Sequence, residues 1–125
     1  MSYLLIVKQR FSGAHFIPDY VGPCGKMHGH TWEVRVFIRA GKLNNWGIAI
    51  DFKNLKEGLK ILLPDHKNLN EVFSFSPTAE NLAKCFYQQI NSNMDWFLGG
   101  CVDNVHLEAV EVWESEDCGV RYEGK

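Results

Sequence analysis

The chain has 125 residues, enough for one compact domain with its own core and too few for two domains of ordinary size. Apolar residues make up 46% and charged residues 22%, a composition that excludes a disordered or fibrous chain. The net charge of −2 lacks the basic excess of nucleic-acid-binding domains. We therefore expect one domain over residues 1–125 that does not bind nucleic acid.

The N-terminal segment and the cysteines indicate the compartment. The apolar run Leu4–Val7 is too short for a signal peptide or a membrane span. The four cysteines are widely spaced, which fits a reducing compartment better than a disulfide scaffold. We expect a cytoplasmic protein that does not associate with membranes.

Two strands are predicted in the first third of the chain. Leu4–Phe11 is rich in β-branched and aromatic residues and leads toward His15. A loop with glycine and proline follows over Asp19–Gly25. In His28–Ala40, apolar residues alternate with mostly polar ones, which predicts a second strand. One face of this strand carries Trp32, Val34, Val36 and Ile38.

Two helices are predicted next. Asp51–Leu63 has apolar residues at helical spacing, with Asp51 placed as the N-cap and Pro64 as the end. A second helix is predicted to start at Ser76–Pro77, with serine as the cap, and to break over Asn91–Gly100.

Two further strands complete the pattern. They are predicted over Val105–Glu114 and Val120–Tyr122, joined by a turn at Glu116–Gly119. The order β, β, α, α, β, β predicts an α+β fold with an antiparallel sheet.

Three histidines suggest a metal site. His28 and His30 occupy alternate positions of the predicted strand, so their imidazoles leave the same face. His15 would come from the neighbouring strand. Three nitrogen ligands leave a fourth position for water or substrate, as in catalytic zinc sites.

Cys24 lies in the glycine-rich loop just before the histidine pair. A nearby metal ion and Lys26 would favour a reactive thiolate. As a fourth zinc ligand, the same thiol would make the site closed and structural. The residue chemistry alone favours neither reading.

Asp65 and His66 follow the first predicted helix on a connection, where functional residues concentrate. An aspartate that orients a histidine makes a proton shuttle. Since adjacent residues usually point apart, an ordinary turn aspartate and helix-terminal histidine are equally compatible with the sequence.

Glu114 ends an apolar face of the predicted strand. A buried carboxylate needs a partner, so Glu114 either pairs with Arg121 or Arg10 or binds a ligand with donor groups. A surface glutamate is the alternative. His106 and Glu108 have the same parity and are alternative members of the site.

Six short motifs follow one another along nearly the whole chain: Phe11–His15, Cys24–Trp32, Gly47–Phe52, Asp65–Asn70, Pro77–Asn81 and Val112–Glu114. In order and spacing they resemble the 6-pyruvoyltetrahydropterin synthase family. The short interval between Cys24 and His28 resembles its bacterial and archaeal branch, the 6-carboxytetrahydropterin synthases of queuosine biosynthesis.

The resemblance implies the tunnelling fold, an antiparallel four-stranded sheet with two helices on one face. Subunits of that fold join their sheets into a barrel. A homotrimer or homohexamer with active sites between subunits is therefore expected.

The resemblance also implies a reaction. Zinc held by His15, His28 and His30 would bind the side-chain hydroxyls of 7,8-dihydroneopterin triphosphate. Cys24 would be the general base. The products would be 6-carboxytetrahydropterin, acetaldehyde and triphosphate.

The remaining roles implied by the resemblance concern proton transfer and pterin binding. Asp65 and His66 of a neighbouring subunit would form a proton relay. Glu114 would bind the guanidine-like edge of the pterin, with Thr78 and Glu80 nearby. The alternatives are 6-pyruvoyltetrahydropterin synthase, a folate-branch pterin lyase, or a non-catalytic zinc-stabilised binding module.

Overall fold

The computed structural model describes residues 3–100 and 104–124, which form one sheet with helices packed against it. The sheet has five strands in the order β3-β1-β2-β4-β5. The strands are β1 (Tyr3–His15), β2 (His28–Ala40), β3 (Lys67–Asn68), β4 (Val105–Trp113) and β5 (Gly119–Tyr122). The helices are α1 (Phe52–Leu62), α2 (Leu69–Val72), α3 (Ala79–Ser92) and α4 (Met94–Phe97), and a 3-10 turn covers Pro23–Gly25. Within the described ranges, no helix is long and apolar enough to cross a membrane.

The predicted α+β fold is confirmed, with one addition to the sheet. The strands β1, β2, β4 and β5 are antiparallel neighbours, as expected. The added strand β3 pairs in parallel with β1 at Gly13 and Ala14, so the sheet is mixed. His66 enables this pairing because its left-handed backbone (φ 56°) turns the chain onto the edge of β1. The sheet of a single chain is not closed into a barrel.

The two faces of the sheet differ in chemistry. The apolar residues of β2 predicted to share a face are fully buried in one core. Helix α1 packs on β1, whereas α3 packs on β4 and β5, so both long helices cover this face. The opposite face carries ion pairs, among them Arg35–Glu33 and Arg39–Glu108, both at 2.6 Å.

The first helix begins as predicted. The carboxylate of Asp51 accepts a hydrogen bond from the backbone N–H of Lys53 at 2.9 Å. This is the usual N-cap contact, which satisfies a donor at the start of α1.

The predicted start of the second helix was wrong. Thr78, not Ser76, is the N-cap of α3, because its Oγ1 accepts from the backbone N–H of Asn81 at 3.1 Å. The carbonyl of Ser76 instead accepts from the N–H of Thr78 at 2.9 Å, which turns the chain before the helix. The helix therefore begins at Ala79.

The predicted break over Asn91–Gly100 was also partly wrong. Helix α3 continues to Ser92, and Met94–Phe97 forms the single-turn helix α4. Phe97 is buried against Gly58 of α1, where an added Cβ would lie 2.5 Å from the Phe97 ring. This tertiary contact explains why a polar, glycine-containing segment is partly helical.

Candidate metal centre

The three histidines meet where β1 ends and β2 begins. His15, the last residue of β1, pairs with His28, the first residue of β2. His30 lies opposite Gly13 on the same strand pair. The ring centroid of His15 lies 4.6 Å from that of His28 and 5.2 Å from that of His30. Alternation along β2 and the register with β1 thus bring the imidazoles to one side of the sheet.

Glu114 completes the cluster. The ligand atoms of the three histidines and of Glu114 all lie within 4.8 Å of one another. Oε1 of Glu114 is 2.7 Å from Nε2 of His30 and 3.5 Å from Nε2 of His15. The backbone N–H of Glu114 donates to the carbonyl of Cys118 at 3.0 Å, which fixes the chain just after β4.

The two arginines that one alternative paired with Glu114 lie in other ion pairs, so that alternative was wrong. Arg10 pairs with Glu33 at 3.3 Å. Arg121 pairs with Glu123 at 2.8 Å and with Glu111 at 3.2 Å. Strand β4 ends at Trp113, and the turn after it directs the Glu114 carboxylate to the histidines.

Backbone carbonyls determine the tautomers of two histidines. Nδ1 of His15 lies 2.7 Å from the carbonyl of Pro77, and Nδ1 of His28 lies 2.6 Å from the carbonyl of Lys26. Because a carbonyl only accepts, each Nδ1 carries the hydrogen and each Nε2 retains its lone pair. This is the tautomer that binds a metal through Nε2.

The centre contains buried nitrogens without hydrogen-bond partners. Nε2 of His15 and Nε2 of His30 are both buried, and neither makes a hydrogen bond within the described part of the chain. The 2.7 Å contact of Nε2 of His30 with Oε1 of Glu114 is an ion pair only when the imidazole is protonated. An unpaired buried nitrogen is costly, and a metal ion would satisfy both nitrogens at once.

The electrostatics keep His30 in the form that can bind a metal. Burial lowers the pKa of His30 below its ordinary value, and the neighbouring histidines act in the same direction. The carboxylate of Glu114 only partly opposes this shift. Imidazole nitrogens and a carboxylate oxygen are ligands that zinc prefers, so the residues fit that ion.

Cys24 lies outside this cluster. It is exposed in the 3-10 turn, and its carbonyl accepts from the N–H of Ile17 at 2.8 Å. The turn requires glycine at position 25, because a Cβ there would lie 2.2 Å from the carbonyl oxygen of Tyr20. In this conformation Glu114, not Cys24, occupies the place of a fourth ligand. Cys85 is half-buried and Cys118 exposed, and Cys101 lies outside the described residues.

The side chains of Asp65 and His66 form a close pair. Oδ2 of Asp65 lies 2.9 Å from Nδ1 of His66. Oδ1 of Asp65 accepts from the N–H of Ser12 at 2.8 Å, and the N–H of His66 donates to the carbonyl of Ser12 at 2.6 Å. The Ser12 N–H, together with His66, lowers the pKa of Asp65, so the carboxylate is ionised. The His66 side chain is 81% exposed, which leaves it free to exchange protons.

A shallow cleft is bordered by one residue of this pair and by one metal ligand. It has a volume of about 530 Å³, and its lining includes both His30 and His66. Neither Asp65 nor His66 belongs to the metal cluster itself.

The other residues proposed from the sequence are less central. Thr78 caps α3, and Glu80 is exposed in the first turn of that helix. Glu108 binds Arg39 through two hydrogen bonds of 2.6 and 3.1 Å, and His106 is exposed. His106 and Glu108 are not members of the cluster, so that alternative was wrong.

A second, larger cavity lies at the other end of β1. Its volume is about 1110 Å³, and its lining is mostly apolar, including Leu4, Trp46 and Ile48. It shares no residue with the histidine cluster. Since it lacks convergent titratable groups, the histidine cluster is the stronger candidate for chemistry.

Sequence reasoning missed the acceptors that orient the histidines. The carbonyls of Pro77 and Lys26 belong to the backbone, so residue type carries no signal for them. Asn70 was also missed. Its side chain accepts from the N–H of Phe16 at 2.9 Å and donates to the Phe16 carbonyl at 3.0 Å.

The fold and the centre together define an α+β protein with a three-histidine, one-carboxylate candidate metal site at the end of its sheet. The model of one family, 6-pyruvoyl tetrahydropterin synthase, matches residues 4–125. The chain therefore belongs to the 6-pyruvoyl tetrahydropterin synthase family.

Curated relatives carry the name of one branch. The chain is 32% identical over 101 residues to the 6-carboxy-5,6,7,8-tetrahydropterin synthase of Bacillus subtilis, covering 75% of this chain and 69% of that protein. It is 32% identical over 113 residues to a putative enzyme of that name from Archaeoglobus fulgidus, covering 89% and 87%. The enzyme of that name from Synechocystis is 30% identical over 120 residues, covering 90% and 86%.

Solved structures support the fold. The Caenorhabditis elegans 6-pyruvoyl tetrahydropterin synthase has a TM-score of 0.80 at 23% identity, covering 98% of this chain and 96% of that chain. The Plasmodium falciparum protein of that name has a TM-score of 0.65 at 20% identity, with 96% of both chains covered.

Proposed function

We propose that this protein is a zinc-dependent 6-carboxy-5,6,7,8-tetrahydropterin synthase. It converts 7,8-dihydroneopterin triphosphate to 6-carboxytetrahydropterin, acetaldehyde and triphosphate in queuosine biosynthesis in the cytoplasm. The observation that carries the proposal is the convergence of the ligand atoms of His15, His28, His30 and Glu114, which all lie within 4.8 Å of one another. The names of the curated relatives support the choice of product.

His15, His28 and His30 hold the zinc ion in this proposal. When bound, zinc supplies Lewis acidity, which lowers the pKa of substrate hydroxyls and of adjacent carbon-bound protons. The carbonyls behind His15 and His28 hold the rings with their Nε2 lone pairs available.

Cys24 is the general base. It lies in an exposed turn only a few residues before His28, so the thiol is accessible to a bound ligand. Its Sγ accepts a carbon-bound proton from the substrate side chain. The histidine of the Asp65–His66 pair returns protons, and the ionised carboxylate of Asp65 stabilises the protonated ring.

Glu114 recognises the pterin. A carboxylate can accept two parallel hydrogen bonds from the amino and ring N–H groups of a guanidine-like edge. Thr78 and Glu80, at the start of α3, provide further polar contacts. The carbonyl of Pro77 touches His15, which places this helix start beside the metal centre.

The active site of this proposal is completed by a second copy of the chain. Among the described residues, the outer edge of β1 is paired only near its end, at Gly13 and Ala14 with β3 and at Ser12 with residues 65 and 66. In the part of the chain that the structure describes, the outer edge of β5 also has no partner strand. Unpaired edges are templates for strand addition, and joining β5 of one copy to β1 of the next extends the sheet.

The proposed junction keeps the level that β5 and β1 have within the sheet of one chain. Gly119 pairs with Trp113, Trp113 with Glu33, and Glu33 with Arg10, so the start of β5 lies level with Arg10. The β4–β5 turn, which begins at Glu114, would then lie level with Ser12 of the neighbour. Ser12 holds the Asp65–His66 pair, so one copy would supply the metal ligands and the next would supply the relay. A homotrimer or homohexamer satisfies this arrangement.

Mixed oligomers test the shared site. Cys24→Ala and His66→Ala chains are each expected to be inactive. When they are mixed, dissociated and reassembled, some interfaces combine an intact Cys24 with an intact His66 from the next chain, and activity returns. No recovery in mixed oligomers of normal size would show that both residues act within one chain.

Product identification tests the reaction. The protein is incubated with zinc and 7,8-dihydroneopterin triphosphate, and the products are analysed by chromatography and mass spectrometry. Acetaldehyde and 6-carboxytetrahydropterin are expected. A pyruvoyl product without acetaldehyde would instead identify a 6-pyruvoyltetrahydropterin synthase.

A further inference from the structure

His15 is the most buried polar group of the candidate centre, with 2% of its surface exposed. Its position is determined by two backbone segments. One is the end of β1, which carries the residue, and the other is Ser76–Thr78, which supplies the Pro77 carbonyl. Any displacement of either segment would change the contact between Nδ1 and that carbonyl, and with it the direction of the Nε2 lone pair.

An asparagine holds the first segment. The side chain of Asn70 bonds the backbone of Phe16, the residue directly after His15. It accepts from the Phe16 N–H at 2.9 Å and donates to the Phe16 carbonyl at 3.0 Å. The side-chain amide thus makes the two hydrogen bonds that a neighbouring strand would make, and it fixes the backbone next to His15.

A second asparagine holds the other segment. Nδ2 of Asn81 donates to the Ser76 carbonyl at 2.9 Å, and the backbone N–H of Asn81 donates to Oγ1 of Thr78 at 3.1 Å. Asn81 therefore bonds the residues on both sides of Pro77. Because proline has no N–H, Pro77 cannot be held by a hydrogen bond of its own backbone nitrogen.

We propose that Asn70 and Asn81 are positioning residues of the metal centre. Together they hold His15 and its carbonyl acceptor so that Nδ1 keeps the hydrogen and Nε2 is directed into the cluster. The hydrogen bonds of both side chains go to backbone groups, those of Phe16 and Ser76. This inference rests on the proposed metal site, although the two asparagines position His15 whether or not a metal ion is bound.

The role requires an amide, not only a side chain of this size. Aspartate has the same volume, but its oxygen cannot donate to the carbonyl that Nδ2 now contacts, and its charge repels that carbonyl. Groups that orient metal-binding histidines typically change metal affinity about 10- to 100-fold when mutated. Loss of the amide donor should therefore weaken zinc binding.

Asn93 provides a matched control. Its Nδ2 also donates to a backbone carbonyl, that of Gln89, at 2.7 Å. This bond lies at the C-terminal end of α3, whereas the cluster lies beside its N-terminal end. Asn93→Asp removes the same kind of donor and adds the same charge. It therefore shows how far this substitution changes the melting temperature and the zinc affinity when it lies away from the cluster.

Zinc dissociation constants are measured by chelator competition on the purified full chain. Asn70→Asp and Asn81→Asp are expected to weaken zinc binding about 10- to 100-fold. Asn93→Asp is expected to keep the wild-type affinity even where it lowers the melting temperature. Wild-type zinc affinity in both folded variants would overturn the proposal, as would an equal loss of affinity in Asn93→Asp.

The tautomer of His15 supplies a second readout that requires no metal. Nitrogen chemical shifts of the metal-free, ¹⁵N-labelled wild-type protein should show the hydrogen on Nδ1 of His15. Asn70→Ser and Asn81→Ser, which are milder changes if the aspartate variants do not fold, should shift the population toward the Nε2–H form. A wild-type protein with the hydrogen on Nε2, or serine variants with unchanged shifts, would contradict the inference.

The two readouts separate this inference from the proposed function. If the wild-type protein binds no zinc, the proposed function fails, and the tautomer measurement still decides the positioning role. If the wild type binds zinc and the asparagine variants bind it equally well, only the positioning role fails.

Discussion

Oε1 of Glu114 lies 2.7 Å from Nε2 of His30, inside the histidine cluster. This places the carboxylate where a fourth metal ligand would lie. The family resemblance assigns the same residue to the edge of the pterin. The two roles have different consequences for metal binding, which makes Glu114 the first residue to test.

Glu114→Gln is expected to keep zinc and to lose substrate recognition. Three histidines suffice to hold the ion, whereas glutamine cannot accept two charge-assisted hydrogen bonds from the pterin. Hydrogen bonds to a charged group contribute about 1.5–3 kcal/mol, so kcat/KM should fall by about 10- to 100-fold. Metal analysis and steady-state kinetics measure the two effects.

Glu116→Gln, at an exposed position of the same β4–β5 turn, is the control and should behave as wild type. Loss of zinc from Glu114→Gln, as large as the loss caused by removing His28, would show that Glu114 is an obligatory ligand. The pterin-binding role would then be wrong.

Cys24→Ala is expected to keep the fold and the zinc while turnover falls. The thiol is exposed and lies outside the cluster, so its loss removes no ligand. A missing general base typically costs about 10²- to 10⁴-fold in rate. Zinc content, circular dichroism and acetaldehyde release are compared with those of Cys85→Ala, whose thiol lies on α3. Loss of both zinc and fold in Cys24→Ala would favour the structural, non-catalytic reading.

Asp65→Asn is expected to lower thermal stability in a pH-dependent way. The Ser12 N–H holds the pKa of Asp65 below its usual value, so the ionised form stabilises the folded chain. That stabilisation is present above the ordinary aspartate pKa of about 4 and is lost as the pH falls through the folded-state value. The variant should therefore melt at a lower temperature than wild type at neutral pH.

The difference between the Asp65→Asn variant and wild type should shrink under strongly acidic conditions. Melting temperatures across a pH series measure it, with Asp117→Asn, at an exposed turn, as the control. A difference between Asp65→Asn and wild type that does not change with pH would contradict the pKa argument.

Zinc should be released on acidification. Metal-binding histidines must be neutral, and burial keeps the pKa of His30 below its ordinary value of about 6.5. Zinc should thus remain bound through mildly acidic pH and leave at lower pH. In the metal-free protein the unfolded chain protonates first, so stability should fall as pH drops below the ordinary histidine value. Full zinc retention after acidic dialysis with a chelator would argue against a three-histidine site.

Much of this centre could be predicted from the sequence because a strand has a fixed side-chain period. Alternation in His28–Ala40 predicted both the bounds of β2 and the shared side of His28 and His30. Alternation over Val105–Glu114 also predicted that Glu114 shares a face with Val110 and Val112. It could not predict the contact of the carboxylate with His30, because that contact depends on the turn after Trp113.

Other features depend on tertiary contacts that residue type does not encode. The cap of α3 moved from Ser76 to Thr78 because the Ser76 carbonyl is bonded within the preceding turn. Strand β3 is only two residues long and exists because the Asp65–His66 pair bonds the edge of β1. The Pro77 carbonyl that orients His15 has no sequence signature at all.

The most direct test of the account is acetaldehyde release from 7,8-dihydroneopterin triphosphate as a function of bound zinc. Metal-free protein is reloaded stepwise, and zinc content and acetaldehyde are measured at each step. We expect no release without zinc and a linear rise up to one zinc ion per chain, because residues 3–100 and 104–124 contain one such cluster. Full release from zinc-free protein, or zinc binding without any acetaldehyde, would contradict it.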